Sequence, residues 1–196
     1  MEILINLVFL AFIIYYNYKL IQVLWKMKKQ IILPTTSEEL KSLRRYPQKT
    51  VDFPSYSTQK TALIMYAFIL LFLSIIFIVD LLSNEFQSIY LVFFPAYIYS
   101  HQLFNIFAVV DEGVISGSRF IPWEKMKSFQ LIPIDINHKY YGFEKEVNNN
   151  GFELKIKTGI SSISCIITSE ELKINLVQIL NKKIHHQSGD LKWRNE

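Results

Sequence analysis

Several things are scarce in this sequence. Of its 196 residues one is cysteine, Cys165, six are glycine, and only 19% are charged, against about a quarter in ordinary soluble domains. A single cysteine excludes a disulfide scaffold. Low charge beside 51% hydrophobic and 15% aromatic residues excludes a disordered chain, which lacks the apolar surface to collapse.

Patterns that carry chemistry are missing as well. The four histidines are His101, His138, His185 and His186, and no Cys or acidic residue stands beside them at a metal-ligand spacing. Gly113 and Gly117 lack the following helix and lysine of a phosphate loop. Cys165 lies mid-strand with Ile166 and Ile167, the place of a small core residue rather than a nucleophile. No enzymatic activity, metal or cofactor is therefore expected. Nor is there a basic surface for nucleic acid, since Asp111 to Glu196 holds 12 Lys and Arg against 11 Asp and Glu.

What the chain does have is long apolar runs, and a bilayer span needs about 20 mainly apolar residues. Residues 3–24 form the first candidate. Residues 62–79 form the cleanest, with Ser74 its one serine and no charge. Residues 89–110 form a third, interrupted by Pro95, which membrane helices tolerate. The start Met1-Glu2 has no positive leader and no small-residue cleavage site follows, so the first run is expected to remain as an anchor.

Orientation follows from lysine and arginine, which collect in short cytoplasmic loops. The loop of residues 25–60 holds eight of them against three acidic residues, and the connection of residues 80–88 holds none. The expected protein is thus a multi-pass protein of the cell membrane, with residues 1–110 as its transmembrane region, the N-terminus outside and everything after Asp111 in the cytoplasm. The lipid bilayer is its first partner.

Two polar features in this region have two readings each. His101 and Asn105 share a helix face, with Gln102 adjacent, and polar groups in lipid need partners. They form either an intramembrane seam for a subunit, substrate or proton, or hydrogen bonds to the other helices. In the basic loop, Thr35 and Thr36 precede Glu38 and Glu39 as a capping box, and Leu40 and Leu43 then share one face of a short helix ended by Pro47. Lys41, Arg44 and Arg45 around it either touch anionic headgroups or form a solvated topology signal.

Beyond Val110 the pattern changes to alternation. Phe152, Leu154 and Ile156 alternate with Glu153, Lys155 and Lys157, which predicts a strand with one apolar and one wet face. Ile163, Cys165 and Ile167 repeat it, and the Asn148–Gly151 stretch reads as a turn. Thr168 and Glu171 read as a capping box for a closing helix whose Leu172, Leu176, Ile179 and Leu180 fall on one stripe. The expected domain, residues 111–184, is α+β, followed by a flexible tail of residues 185–196. In it Pro122 ends a strand and Trp123 folds under the sheet as a structural anchor, with Met126 and Phe129 burying the same side.

The stretch Asp111-Glu112-Gly113-Val114-Ile115, then Phe120-Ile121-Pro122-Trp123-Glu124-Lys125-Met126-Lys127-Ser128-Phe129 and a terminal helix, resembles bacterial membrane proteins with a C-terminal pleckstrin-homology-like (PH-like) domain. Met126 stands where a branched aliphatic is commoner in that pattern. The resemblance covers Val110 to Ile184. It implies a bent antiparallel sheet capped by a C-terminal helix, and it does not imply catalysis. The expected function is that of an adaptor or regulator binding a protein partner, in the membrane or the cytoplasm, or the membrane surface through this domain. The alternative is an immunity- or transport-associated protein acting through its helical bundle.

Overall fold

The computed structural model describes residues 2–83, 103–159 and 161–192. Two long helices, an antiparallel sheet domain and a C-terminal helix make up the described chain.

Helix α1 (Glu2–Lys26) and helix α3 (Lys60–Ser83) pack antiparallel: Phe9 meets Phe77 with ring centroids 5.5 Å apart, and at the other end the Tyr56 hydroxyl donates to the Leu24 carbonyl. Asn6–Lys26 and Lys60–Val79 are long and apolar enough to cross a membrane, with mean hydropathies of 1.6 and 3.0. Only 11% and 17% of these segments are buried, so neither is the core helix of a water-soluble protein. Leu7, Ile14, Ile64, Phe68 and Leu71 among others project outward, an apolar surface of the kind lipid covers.

Between the helices the chain is folded rather than looped. Strand β1 (Ile31–Leu33), helix α2 (Ser37–Ser42), strand β2 (Leu43–Tyr46) and strand β3 (Lys49–Thr50) occupy it. The Thr36–Glu39 capping box forms, with Glu39 Oε2 accepting from the Thr36 amide at 3.1 Å. The helix stops at Ser42 because Leu43 and Arg44 pair with Ile167 and Ile166 as strand. The expected helix through Arg45 is thereby shortened, and the basic loop of residues 25–60 supplies three strands to the sheets.

Two sheets follow. Strands β4 (Phe107–Val110), β5 (Gly113–Ser116) and β6 (Arg119–Pro122) join β1 in the order β1-β4-β5-β6. After a 3-10 turn at Trp123–Lys125 come β7 (Met126–Pro133), α4 (Lys145–Asn150), β8 (Phe152–Thr158) and β9 (Ser162–Ile167), giving a second sheet ordered β3-β2-β9-β8-β7. Phe107, Val109, Val114 and Ile121 face the second sheet, while Ala108, Val110, Ile115 and Phe120 face α1 and α3. The first sheet is therefore covered on both faces. A doubly covered strand reads as a continuous apolar run, which is why Phe107–Val110 looked like the end of a span. The expected third span does not reach Val110; the rest of it up to Gln102 lies outside the described residues.

The second sheet behaves differently. Leu154, Ile156, Ile163, Cys165 and Ile167 point inward, and helix α5 (Glu170–Lys192) lays Leu172, Leu176 and Leu180 on them. Its first turn is capped by Ser169, whose hydroxyl accepts from the Leu172 amide, and not by Thr168, whose hydroxyl instead donates to Glu146 at 2.8 Å. The helix continues past Ile184, where a flexible tail was expected, to Lys192. The Asn148–Gly151 stretch is the end of α4 rather than a simple turn. Val147 of that helix packs on Ile166 and covers part of the sheet's outer face.

Candidate functional site

A cleft of about 640 Å³ opens where α1 and α3 meet the edge of the sheets. Each wall follows from local sequence. Pro122 ends β6, and Trp123 turns inward to 4% exposure, donating from Nε1 to the Asp111 carbonyl at 2.7 Å. That anchor fixes the following turn so that Met126 points in and Glu124, Lys125 and Lys127 point out. Phe129, three residues on, is half-buried against the core.

The cleft collects positive charge. Lys19 comes from α1, Arg119 from the start of β6, and Lys125 and Lys127 from the turn and β7, against one lining carboxylate, Glu124. Among the described residues no ion pair engages any of these four cations, whereas Lys26 and Lys29 pair with Glu112 and Lys183 pairs with Asp111. Tyr15, Tyr16 and Tyr66 form the helix side, with Lys19 Nζ 5.7 Å from the Tyr15 ring centroid. Thr158 and Ser161 supply hydroxyls opposite. Such a site has an aromatic wall toward the two apolar helices and a cationic rim toward the sheets, which suits an anion attached to an apolar body.

The anticipated site residues fall in different places. His101 and Gln102 lie outside the described residues. Asn105 is described and is not helical: its Nδ2 donates to the Thr50 carbonyl at 2.7 Å and its own carbonyl accepts from the Asp52 amide at 2.8 Å, so it ties β3 to the chain entering β4. A helical seam shared with His101 is thereby corrected. Lys41 is exposed on α2. Arg44, expected either to touch headgroups or to be solvated, is instead buried under α4, where it pairs with Glu146 and donates to the Pro47 carbonyl at 3.3 Å. Arg45 turns to the other side, donates to the Phe104 carbonyl and lines a smaller pocket that also contains Arg119. Burial lowers its pKa, and the Arg119 charge adds to this against Tyr46 and Tyr140.

Two groups escaped the sequence pattern. Glu153, read as part of a wet face, is 2% exposed, because the segment before α4 folds over it. Lys139 Nζ stands 2.9 Å from its Oε1 and His138 Nε2 stands 3.1 Å from its Oε2. Burial pushes this carboxyl's pKa up, but hydrogen bonds from Lys139 and His138 outweigh it and hold the group below the usual glutamate value. Arg119 is the other: it belongs to no motif in the sequence, and only the fold places it beside Arg45. Cys165 is fully buried and its thiol pKa is pushed up by that burial, which keeps it protonated. Among the described residues no group of three His, Cys, Asp or Glu could hold a metal. Comparison with family models, with curated proteins and with solved structures gives no match.

Proposed function

We propose that this chain is a non-enzymatic, membrane-anchored binding module, an adaptor or regulator, that holds the headgroup of an anionic membrane lipid in the cleft between its helices and its sheets. One observation carries the reading: four cations that no ion pair engages among the described residues share a cleft with tyrosines of helices that are apolar enough to lie in a bilayer. A basic residue near an anionic membrane surface contributes about 1 kcal/mol. The domain belongs, in this proposal, to the PH-like type, with two antiparallel sheets and a C-terminal helix as support.

The topology that goes with it has three crossings, an outer N-terminus and a cytoplasmic domain. Lys26, Lys28, Lys29 and Lys60 cluster at the domain-side ends of α1 and α3, as the positive-inside rule requires. The chain leaves the sheets along α3 at Lys60 and is back beside them at Leu103, which supports a return crossing in this proposal.

The test is full-length protein in nanodiscs, comparing retention of anionic and zwitterionic lipid. The Lys125→Glu, Lys127→Glu pair should cut the preference for anionic lipid about tenfold or more. A wild-type preference in that variant would sink the reading. A protein partner is the second reading, favoured by Ile136, Tyr141 and Phe143, which are exposed on the segment between β7 and α4. The alternative through the helical bundle keeps less support, since Asn105 is engaged by β3.

A further inference from the structure

A smaller pocket of about 180 Å³ lies where β2, the β5–β6 turn and β9 converge, and it is distinct from the lipid cleft except that Arg119 lines both. Arg45 and Arg119 bring two guanidinium groups to it, and no carboxylate lines it. Ser116 and Ser162 contribute two hydroxyls, while Ser164 and Tyr140 also line it with their side chains turned to Glu153 and Lys139. The backbone is adapted to this arrangement. Gly117 adopts φ +61°, and a Cβ at that position would come within 2.5 Å of the Arg45 Nη1 atom, so only glycine leaves the guanidinium its place.

The neighbouring arginines show how unusual this is. Arg44 has a carboxylate partner in Glu146, whereas Arg45 has a carbonyl partner in Phe104 and a second cation nearby. Two like charges held together at a half-buried site are stabilised by an anion that bridges them. A guanidinium fork donates two parallel hydrogen bonds to an oxyanion, and two forks with added hydroxyls offer more donors than one carboxylate can accept. A tetrahedral dianion can accept them from several directions. The volume takes a phosphate and the first atoms of an ester.

The geometry points to a phosphate-binding site for a phosphate monoester or free phosphate, built from Arg45, Arg119, Ser116 and Ser162. It does not depend on the lipid cleft. The test is full-length protein in uncharged detergent, titrated with inorganic phosphate at constant ionic strength with chloride as the control. Phosphate should raise the thermal midpoint saturably and chloride should not. Ser162→Asp places a carboxylate on the exposed rim beside the guanidiniums; it should weaken phosphate about tenfold or more while raising the midpoint of the unliganded protein, a pair of effects that lost folding cannot produce. A conservative Ser162→Ala should keep most of the binding.

A second arm identifies the source of the phosphate. Nanodiscs containing phosphatidic acid, a monoester, are compared with phosphatidylglycerol, a diester, at equal surface charge. A preference for phosphatidic acid that Ser162→Asp removes assigns the site to a lipid headgroup, and binding of inorganic phosphate alone assigns it to a soluble one. Equal response to phosphate and chloride, together with equal binding of the two lipids, overturns the proposal. Loss of lipid preference in the Lys125→Glu, Lys127→Glu pair with phosphate binding intact supports both sites. The reverse pattern, intact lipid preference in that pair with saturable phosphate binding, sinks only the cleft reading.

Discussion

The two sheets are both antiparallel and live in opposite surroundings. The first lies between α1 and α3 on one side and the second sheet on the other, so Phe107 to Val110 are buried without exception. The second presents one face to that core and the other partly to water, where Lys157 is exposed and α4 covers Arg44 and Ile166. Alternation along a strand is thus a report on its neighbours. Where both faces are covered, strand and membrane helix leave much the same trace in sequence.

Charge substitution separates the two most sharply. Ala108→Asp puts a carboxylate on the helix-facing side of the first sheet, where nothing pairs with it, at a cost of about 3–5 kcal/mol or more. Lys157→Asp on the second sheet should stay within about 0.5 kcal/mol. Thermal unfolding in detergent measures both, and similar losses would mean that the first sheet is not enclosed. Truncation comes next: Phe107→Ala should cost about 3–5 kcal/mol and the half-buried Phe129→Ala distinctly less.

The ion pair under α4 tests how dry the outer face of the second sheet is. Glu146→Ala leaves Arg44 buried without its carboxylate and should cost about 2 kcal/mol, less than for a fully enclosed pair because Glu146 is itself partly exposed. A loss near zero would place water around Arg44. The smallest effect is the acid limb. Since Glu153 is held below its ordinary pKa, about 4.3, its ionised form contributes stability that is complete above that value and is lost as pH falls through the lower folded value. The advantage of wild type over Glu153→Gln should therefore shrink on going from pH 5 to pH 3, as followed by thermal midpoints. A constant difference would show that the Lys139 and His138 bonds do not favour the charged form.

Local signals were legible because they depend on near neighbours. The Thr36–Glu39 box, the apolar sides of β8 and β9 and the stripe of α5 all lie within a few residues of their causes. Leu43 to Tyr46 was misread as helix because β9, which recruits it, lies over a hundred residues away. Glu153 was misread for a similar reason: its cover, Lys139 and His138, comes from a loop whose position no periodicity encodes. The phosphate pocket was invisible since Arg45, Arg119 and Ser162 meet only where the β2–β9 pair of one sheet comes against the β5–β6 turn of the other. Lys125 and Lys127, by contrast, sat beside the Pro122-Trp123 motif in plain view, but their direction depended on the Trp123 anchor.

Strands β1 and β4 hydrogen-bond, Ile31 to Val110 and Leu33 to Val109, with the whole of α3 between them in the chain. During synthesis β1 therefore stays unpaired until α3 and the chain up to Phe107 have been made. Pairings between such distant segments form late. The first sheet is thus completed only after α3, and a chain halted before that point would display an open strand edge that proteases can seize.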